Sequence, residues 1–242
     1  MNANDSTAMV SPLSTLWFWA GFHARRTIKR NAVMLGIMGA VVLALVLRLF
    51  SNSSPEELRV FVMSMVVPLF AMFFGTGGLR EEIEDQTLTY AFTRPQPRGN
   101  IFLARTLAAV LVTLVPMSLG ALIAFEGPLE LPRDLAVGVL AIAGYTAVFA
   151  VLGLVLRRPT LVGLGVLVWD QIVGGVPGFL SRLTLRAHVH GLLGVHPASS
   201  WLRPNVEPPA WWISLPTLVL VTAAALALGR WWVNHRELVV PK

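Results

Sequence analysis

An all-α, polytopic membrane fold with six transmembrane helices is predicted by three features of this sequence. Hydrophobic residues make up 55% of the 242 positions and charged residues 13%, at a mean hydropathy of +0.67. Apolar runs of about 20 residues recur, each long enough as a helix to cross a ~30 Å hydrocarbon layer with its backbone hydrogen bonds satisfied internally. Basic residues concentrate on alternate connections between those runs, as they do on the cytoplasmic loops of membrane proteins. The first two features exclude a soluble fold. The net charge of +6 is therefore read by its distribution along a membrane chain, and no nucleic-acid partner is expected. The chain has no cysteine, which excludes disulfides, thiol nucleophiles and thiolate metal sites.

The chain opens polar, from Met1 to Ser11. Residues 13–30 then read as an amphipathic helix lying at the membrane interface. Leu13, Trp17, Ala24 and Ile28 form one stripe, Arg26, Lys29 and Arg30 fall opposite, and Phe18 and Phe22 sit at the margin. Aromatic residues beside a basic face suit the headgroup region of an anionic leaflet, so membrane lipid is the first expected partner. Trp19 falls among the charges, and an ordinary positive flank of the first span stays open as the alternative.

Six spans follow, at about 32–50, 60–79, 101–125, 135–156, 160–180 and 213–233, in a single transmembrane domain over residues 1–242. No small-residue cleavage site follows the first span, which is expected to remain as an anchor. With the N-terminus inside, 13 of the 19 Lys and Arg fall on inner segments; Arg48, Arg59, Arg133, Arg182, Arg186 and Arg203 fall outside. That asymmetry places both termini in the cytoplasm. Pro68 and Pro116 interrupt spans two and three, free the carbonyls of Ser64 and Val112, and predict kinks whose polar groups a neighbour must satisfy. Gly36, Gly39, Gly75 and Gly78 offer close helix approach. Arg157-Arg158-Pro159 makes a tight inner hairpin between spans four and five. Span five breaks at Gly174-Gly175-Val176-Pro177-Gly178. Residues 181–212 are too polar to span and predict short outer interfacial helices, with Trp201, Trp211 and Trp212 at headgroup depth. The two halves of the chain do not mirror each other, which weighs against an inverted-repeat secondary transporter.

The stretch from Gly78 to Arg105 concentrates acid between two apolar runs: Glu81, Glu82, Glu84 and Asp85 stand within five residues. Read as a helix, it places Leu79, Ile83 and Tyr90 on one side and Glu81, Glu84, Asp85 and Leu88 around the other. Pro95 and Pro97 end that helix. A short charged helix held between two spans suits contact with a soluble partner.

No G-x-x-x-x-G-K-[ST] motif occurs, so nucleotide phosphates are not cradled here by that route, and no H-E-x-x-H occurs. Glu81-Glu82 invites comparison with intramembrane prenyl-protein proteases, but Gln86 stands where those have arginine and no span holds a histidine. His188, His190 and His196 on the outer segment are candidate metal or haem ligands, or else interfacial residues; the spacing of the first two puts them on opposite sides of a helix. Asp170, in span five beside Gln171, costs about 2.5–3.5 kcal/mol to insert and must face protein or water. Either it lines a transport route or forms a proton-linked site, or it makes a structural hydrogen bond with Gln171 or a hydroxyl on another span.

The acidic stretch resembles that of the ABC-2 type permeases, six-helix membrane subunits of bacterial ATP-driven exporters. In that family an acidic segment after the second span runs into Gly-Thr-Leu, a few apolar residues, a Pro-x-x-Arg turn, an isoleucine, and a lysine opening the third span. Thr87-Leu88, Thr93-Arg94-Pro95, Arg98 and Ile101 match this register without a gap. Gln86 replaces the usual glycine, Arg105 the lysine, and Tyr90-Ala91-Phe92 a leucine-rich run. The specific match covers some 25 residues; elsewhere it extends only to organisation.

What the resemblance implies is a permease that pairs with a second copy of itself and works with two copies of a separate ATPase carrying ATP and Mg. The chain itself would have no enzyme activity, cofactor or metal. Arg80, Glu81, Glu82, Ile83, Glu84, Asp85, Thr87, Leu88, Arg94 and Arg98 would form the ATPase contact, with the N-terminal helix beside them. The expected location is the bacterial inner membrane. An integral-membrane enzyme (a lipid-modifying transferase or intramembrane protease) and a secondary or haem transporter are the alternatives.

Overall fold

The computed structural model describes residues 12–50, 54–84, 97–124, 130–176, 179–194 and 208–235. Every regular element among them is helical. Five helices are long and apolar enough to cross a membrane: Asn31–Leu49, Pro55–Gly77, Arg98–Ile123, Leu131–Val155 and Trp211–His235. The fold is that of a polytopic helical membrane protein.

Helix α1 (Pro12–Ile28) ends one turn before α2 (Asn31–Phe50). Ser54 opens α3 (Pro55–Phe61) with a reciprocal cap: its hydroxyl accepts from the Glu57 amide, and the Glu57 carboxylate accepts from the Ser54 amide. This satisfies two of the donors that a helix start leaves open. A π-helical turn, Val62–Val66, joins α3 to α4 (Val67–Glu84) in one continuous rod. Pro68 explains the turn. Its ring collides with the carbonyl four residues back, that of Ser64, and widening the register there relieves the collision. Pro116, by contrast, lies inside an unbroken α5 (Arg98–Ile123). Helix α6 (Glu130–Val155) and the two-residue hairpin at Arg157 and Arg158 lead to α7 (Pro159–Val173).

Here the structure departs from the expected fifth span. Helix α7 stops at Val173, not near 180, and has only 15 residues. At 1.5 Å per residue it covers about 22 Å, less than the ~30 Å of a hydrocarbon layer. The glycine pair ends it: the amides of Gly174 and Gly175 bond back to Asp170 and Ile172. After a 3₁₀ turn at Phe179–Leu183, α8 (Leu185–Leu193) begins under a Thr184 cap and ends on Gly194 in the left-handed region, φ 64°. Helix α9 (Trp211–His235) completes the bundle.

The largest core cluster joins α4, α5, α6 and α9 through Met72, Met117, Tyr145, Phe149 and Leu218, with Val189 and Leu193 of α8 inside it. Helices α4 and α6 come close where glycines face backbone: a Cβ on Gly153 would lie 2.6 Å from the Thr76 carbonyl oxygen, and one on Gly75 3.1 Å from the Thr146 carbonyl oxygen. Of the glycines expected to allow approach, Gly75 does so and Gly36 meets only the Phe70 ring at 3.8 Å. A Cβ on Gly39 would meet nothing within 4 Å, and Gly78's surroundings lie outside the described residues.

Candidate functional site

The early end of α7 brings Asp170 to the last turn of the helix, not to mid-span, and lets the chain fold back over it. Asp170 is 5% exposed. Its carboxylate accepts from the Tyr145 hydroxyl on α6 and, at 3.3 Å, from the main-chain N–H of Arg186 in the first turn of α8. A helix start directs unpaired N–H groups and a partial positive charge outward, so α8 is placed to hold a buried carboxylate. The Arg186 guanidinium donates to the Gln171 carbonyl at 2.8 Å.

Gln171 carries the network onward. Its amide donates to the carbonyl of Ser64, the group that Pro68 leaves without an α-helical partner. The Ser64 hydroxyl shares a 2.7 Å hydrogen bond with His190 Nε2. One polar cluster thus ties the π turn to α6, α7 and α8. Burial, and the nearby Arg186 guanidinium second, lower the His190 pKa to about 4, so the imidazole is neutral at pH 7. His188 bonds to the Arg182 carbonyl at 2.8 Å and to the Ser214 hydroxyl at 3.4 Å. Burial also lowers the His188 pKa, against the opposing effect of the Arg182 carbonyl.

Both histidines are therefore core residues, correcting the expectation that they lie at a polar interface. Helix α8 is packed against α6 and α9, and its ring nitrogens bond to protein groups. His196 and Trp201 lie outside the described residues; Trp211 and Trp212 start α9 with exposed rings. The hydroxyl on another span that the structural reading of Asp170 called for is that of Tyr145.

A second polar contact stands at the same end of the bundle. Arg59 of α3 and Asp134 of α6 form a buried salt bridge of 2.7 Å. Arg133 donates to the Leu192 carbonyl at 2.8 Å, closing the C-terminal end of α8. Neither contact has a local sequence signal, since the partners are 75 and 59 residues apart.

The other expected site lies at the opposite end, where α4 finishes and α5 begins. Helix α4 continues unbroken past Gly77, carrying Arg80, Glu81, Glu82, Ile83 and Glu84 on its last turns. These residues extend the second span itself and do not start a separate helix. Asp85, Thr87, Leu88 and Arg94 lie outside the described residues. Arg98 is exposed at the start of α5, and the next amide, Gly99, donates to Asn234 of α9 at 2.9 Å.

Helix α1 packs along α5 through Ala24, which shares a small cluster with Ala108 and Val112, lined also by Ile28, Val33 and Phe74. Its buried face is Ala20, His23 and Ala24. Leu13, Trp17, Phe18 and Phe22 are at least half exposed, and the basic Arg26, Lys29 and Arg30 are exposed too. The stripe expected to be continuous is thus divided: Ala24 meets protein, while Leu13 and Trp17 face outward. His23 carried no signal in the sequence. It stacks on Trp19 with ring centroids 5.7 Å apart, and burial, then Arg105 and Arg26, lower its pKa to about 4.

No family model matches the chain, and no curated protein matches it.

Proposed function

We propose that this chain is the permease subunit of an ABC-2 type exporter. It forms the translocation pathway with a second copy of itself, and two copies of a separate ATPase, carrying ATP and Mg, drive it. The membrane is the bacterial inner membrane, with both termini and the acidic segment in the cytoplasm.

The observation that carries this reading is the continuity of α3, the π turn and α4 as one rod from Pro55 to Glu84. It carries a block of acid beyond the apolar span, in unbroken helical continuity with the core. From Glu84 to Ser64 the rod is about 30 Å long at 1.5 Å per residue. Its far half bonds to Gln171 and His190, so displacement of the acidic end is felt by α7 and α8. Coupling of this kind is rigid-body motion of a packed element. The ATPase supplies the differential affinity for two states that such a transition requires. Helix α1, packed on α5 beside α4, gives the partner a second purchase on the bundle. The sequence register over Thr87–Ile101 supports the same assignment.

Purification of the tagged chain from cells expressing the candidate ATPase tests the proposal. The ATPase is expected to co-purify, to be lost with Glu81→Arg plus Glu82→Arg, and to be kept with Asp170→Asn. An enzyme would instead show turnover without any partner and lose it on a single polar substitution within the bundle.

A further inference from the structure

A cavity of about 400 Å³ lies along the seam of α5 and α9, at the end of the bundle where α5 begins and α9 finishes. Its lining changes character along α9. Leu226 and Ala227, with Leu103 of α5, make an apolar wall; Arg230 and Trp231 follow one turn later, and Asn234 and His235 stand on the last turn. Those four are exposed, so the cavity is open at its polar end. Two donors there await an acceptor. Among the described residues no hydrogen bond or ion pair engages the Arg230 guanidinium, whose stem crosses Gly99 at the start of α5. Asn234 gives its side-chain oxygen to the Gly99 amide at 2.9 Å, which fixes its NH₂ as the second donor. We infer that this cavity binds one anionic phospholipid, its phosphate on Arg230 and Asn234 and an acyl chain along Ala227, Leu226 and Leu103.

The charges around the cavity select the headgroup. None of the described residues lining it is acidic, so the ammonium of a zwitterionic lipid finds no carboxylate there. A guanidinium fork matches phosphate oxygens and can bond two of them at once. The acid on the last turns of α4 stands at the same end of the bundle, although no described residue of α4 lines this cavity. That acid opposes a distant anion, so the preference rests on contact with Arg230 and is modest in size. Trp231, 51% exposed beside Arg230, suits the depth at which indole rings meet headgroups. A free phosphate ion would use the donors and leave the apolar wall unused, whereas a lipid meets both. It would straddle α5 and α9 beside the Gly99–Asn234 bond. This inference needs only the membrane reading, and its test uses no ATPase.

Native mass spectrometry of the full chain, stripped of lipid and titrated with phosphatidylglycerol or with phosphatidylcholine of the same chains, tests the site. The first phosphatidylglycerol is expected to bind roughly fivefold more tightly, the effect of about one basic residue at a membrane surface. Arg230→Gln is expected to abolish that preference. Arg157→Gln, which removes an exposed cation from the hairpin between α6 and α7, is expected to keep it. Ala227→Trp fills the apolar wall from an exposed position and is expected to weaken both lipids, while inorganic phosphate at equal concentration displaces neither. Equal binding of the two lipids by the wild type overturns the inference. So does a preference that survives Arg230→Gln or is lost in Arg157→Gln, unchanged binding in Ala227→Trp, or full displacement by phosphate. If either cavity variant fails to fold, the wild-type comparison and the phosphate competition still decide.

Discussion

The two ends of the bundle are built on opposite principles. At the Asp170 end, polar groups are buried and answer one another: Tyr145, Asp170, Arg186, Gln171, Ser64 and His190 form one network, and Arg59 meets Asp134 a few turns away. At the Arg98 end, cations are exposed, and cavities of about 270 and 400 Å³ open between helices. A closed, mutually satisfied network holds a geometry. Exposed cations beside cavities offer contacts to a partner. In the proposed permease the first is the fixed frame of the π turn, α6, α7 and α8, and the second is where the motor acts.

The contrast predicts that substitutions at the closed end cost stability and those at the open end cost much less. The largest effect is expected at Arg59. Arg59→Ala strands Asp134 in the core and is expected to destabilise by about 3–5 kcal/mol, while Arg59→Met with Asp134→Leu recovers most of that. Thermal unfolding in detergent reads both, and equal stability of the single and double variants would contradict the pairing. Next, Tyr145→Phe removes a donor from a buried carboxylate and is expected to cost about 1–3 kcal/mol, with Gln171→Leu in the same range through the Ser64 carbonyl.

Acid provides a reversible version of the same test. His190 titrates near 4 in the folded chain against 6.5 for an ordinary histidine. Below 6.5 the unfolded state takes up a proton that the folded state refuses, so stability falls as pH drops from about 6.5 to 4. At pH 5.5 the loss is about 1.4 kcal/mol. Arg186 is the charged group facing His190, and His23, also near 4, adds a slope of the same sign. His190→Gln should therefore flatten the pH dependence without abolishing it; an unchanged slope would mean that the imidazole is not buried neutral. The smallest effect is expected at the open end, where Asn234→Ala removes the Gly99 bond and should cost about 0.5–1.5 kcal/mol. If it exceeded Tyr145→Phe, the distinction between the two ends would fail.

The same division marks what the sequence could disclose. Local signals worked where the physics is local. Apolar runs give the long helices, and Gly174-Gly175 gives the end of α7. Pro68 identifies Ser64 as a carbonyl in need of a donor, although only the fold shows that Gln171 is that donor. Asp170 stands out because a carboxylate in apolar sequence must be answered; Tyr145 does not, because a tyrosine in a span is unremarkable alone. His188 and His190 read as interfacial since nothing nearby says that α8 turns into the bundle. The Arg59–Asp134 pair and the Gly153–Thr76 contact are likewise long-range, and separation in sequence hides them. The acidic block is the converse case, plain in the sequence, with the structure adding that it continues α4.

The central claim is that the acidic end of α4 lies on the cytoplasmic face, within reach of a soluble motor. The chain has no cysteine of its own, so Glu82→Cys and Arg48→Cys each give a single label site. Treating intact cells with a membrane-impermeant maleimide, before and after permeabilisation, measures the sidedness. The account predicts that Arg48→Cys is labelled in intact cells and Glu82→Cys only after permeabilisation; labelling of Glu82→Cys in intact cells would contradict it.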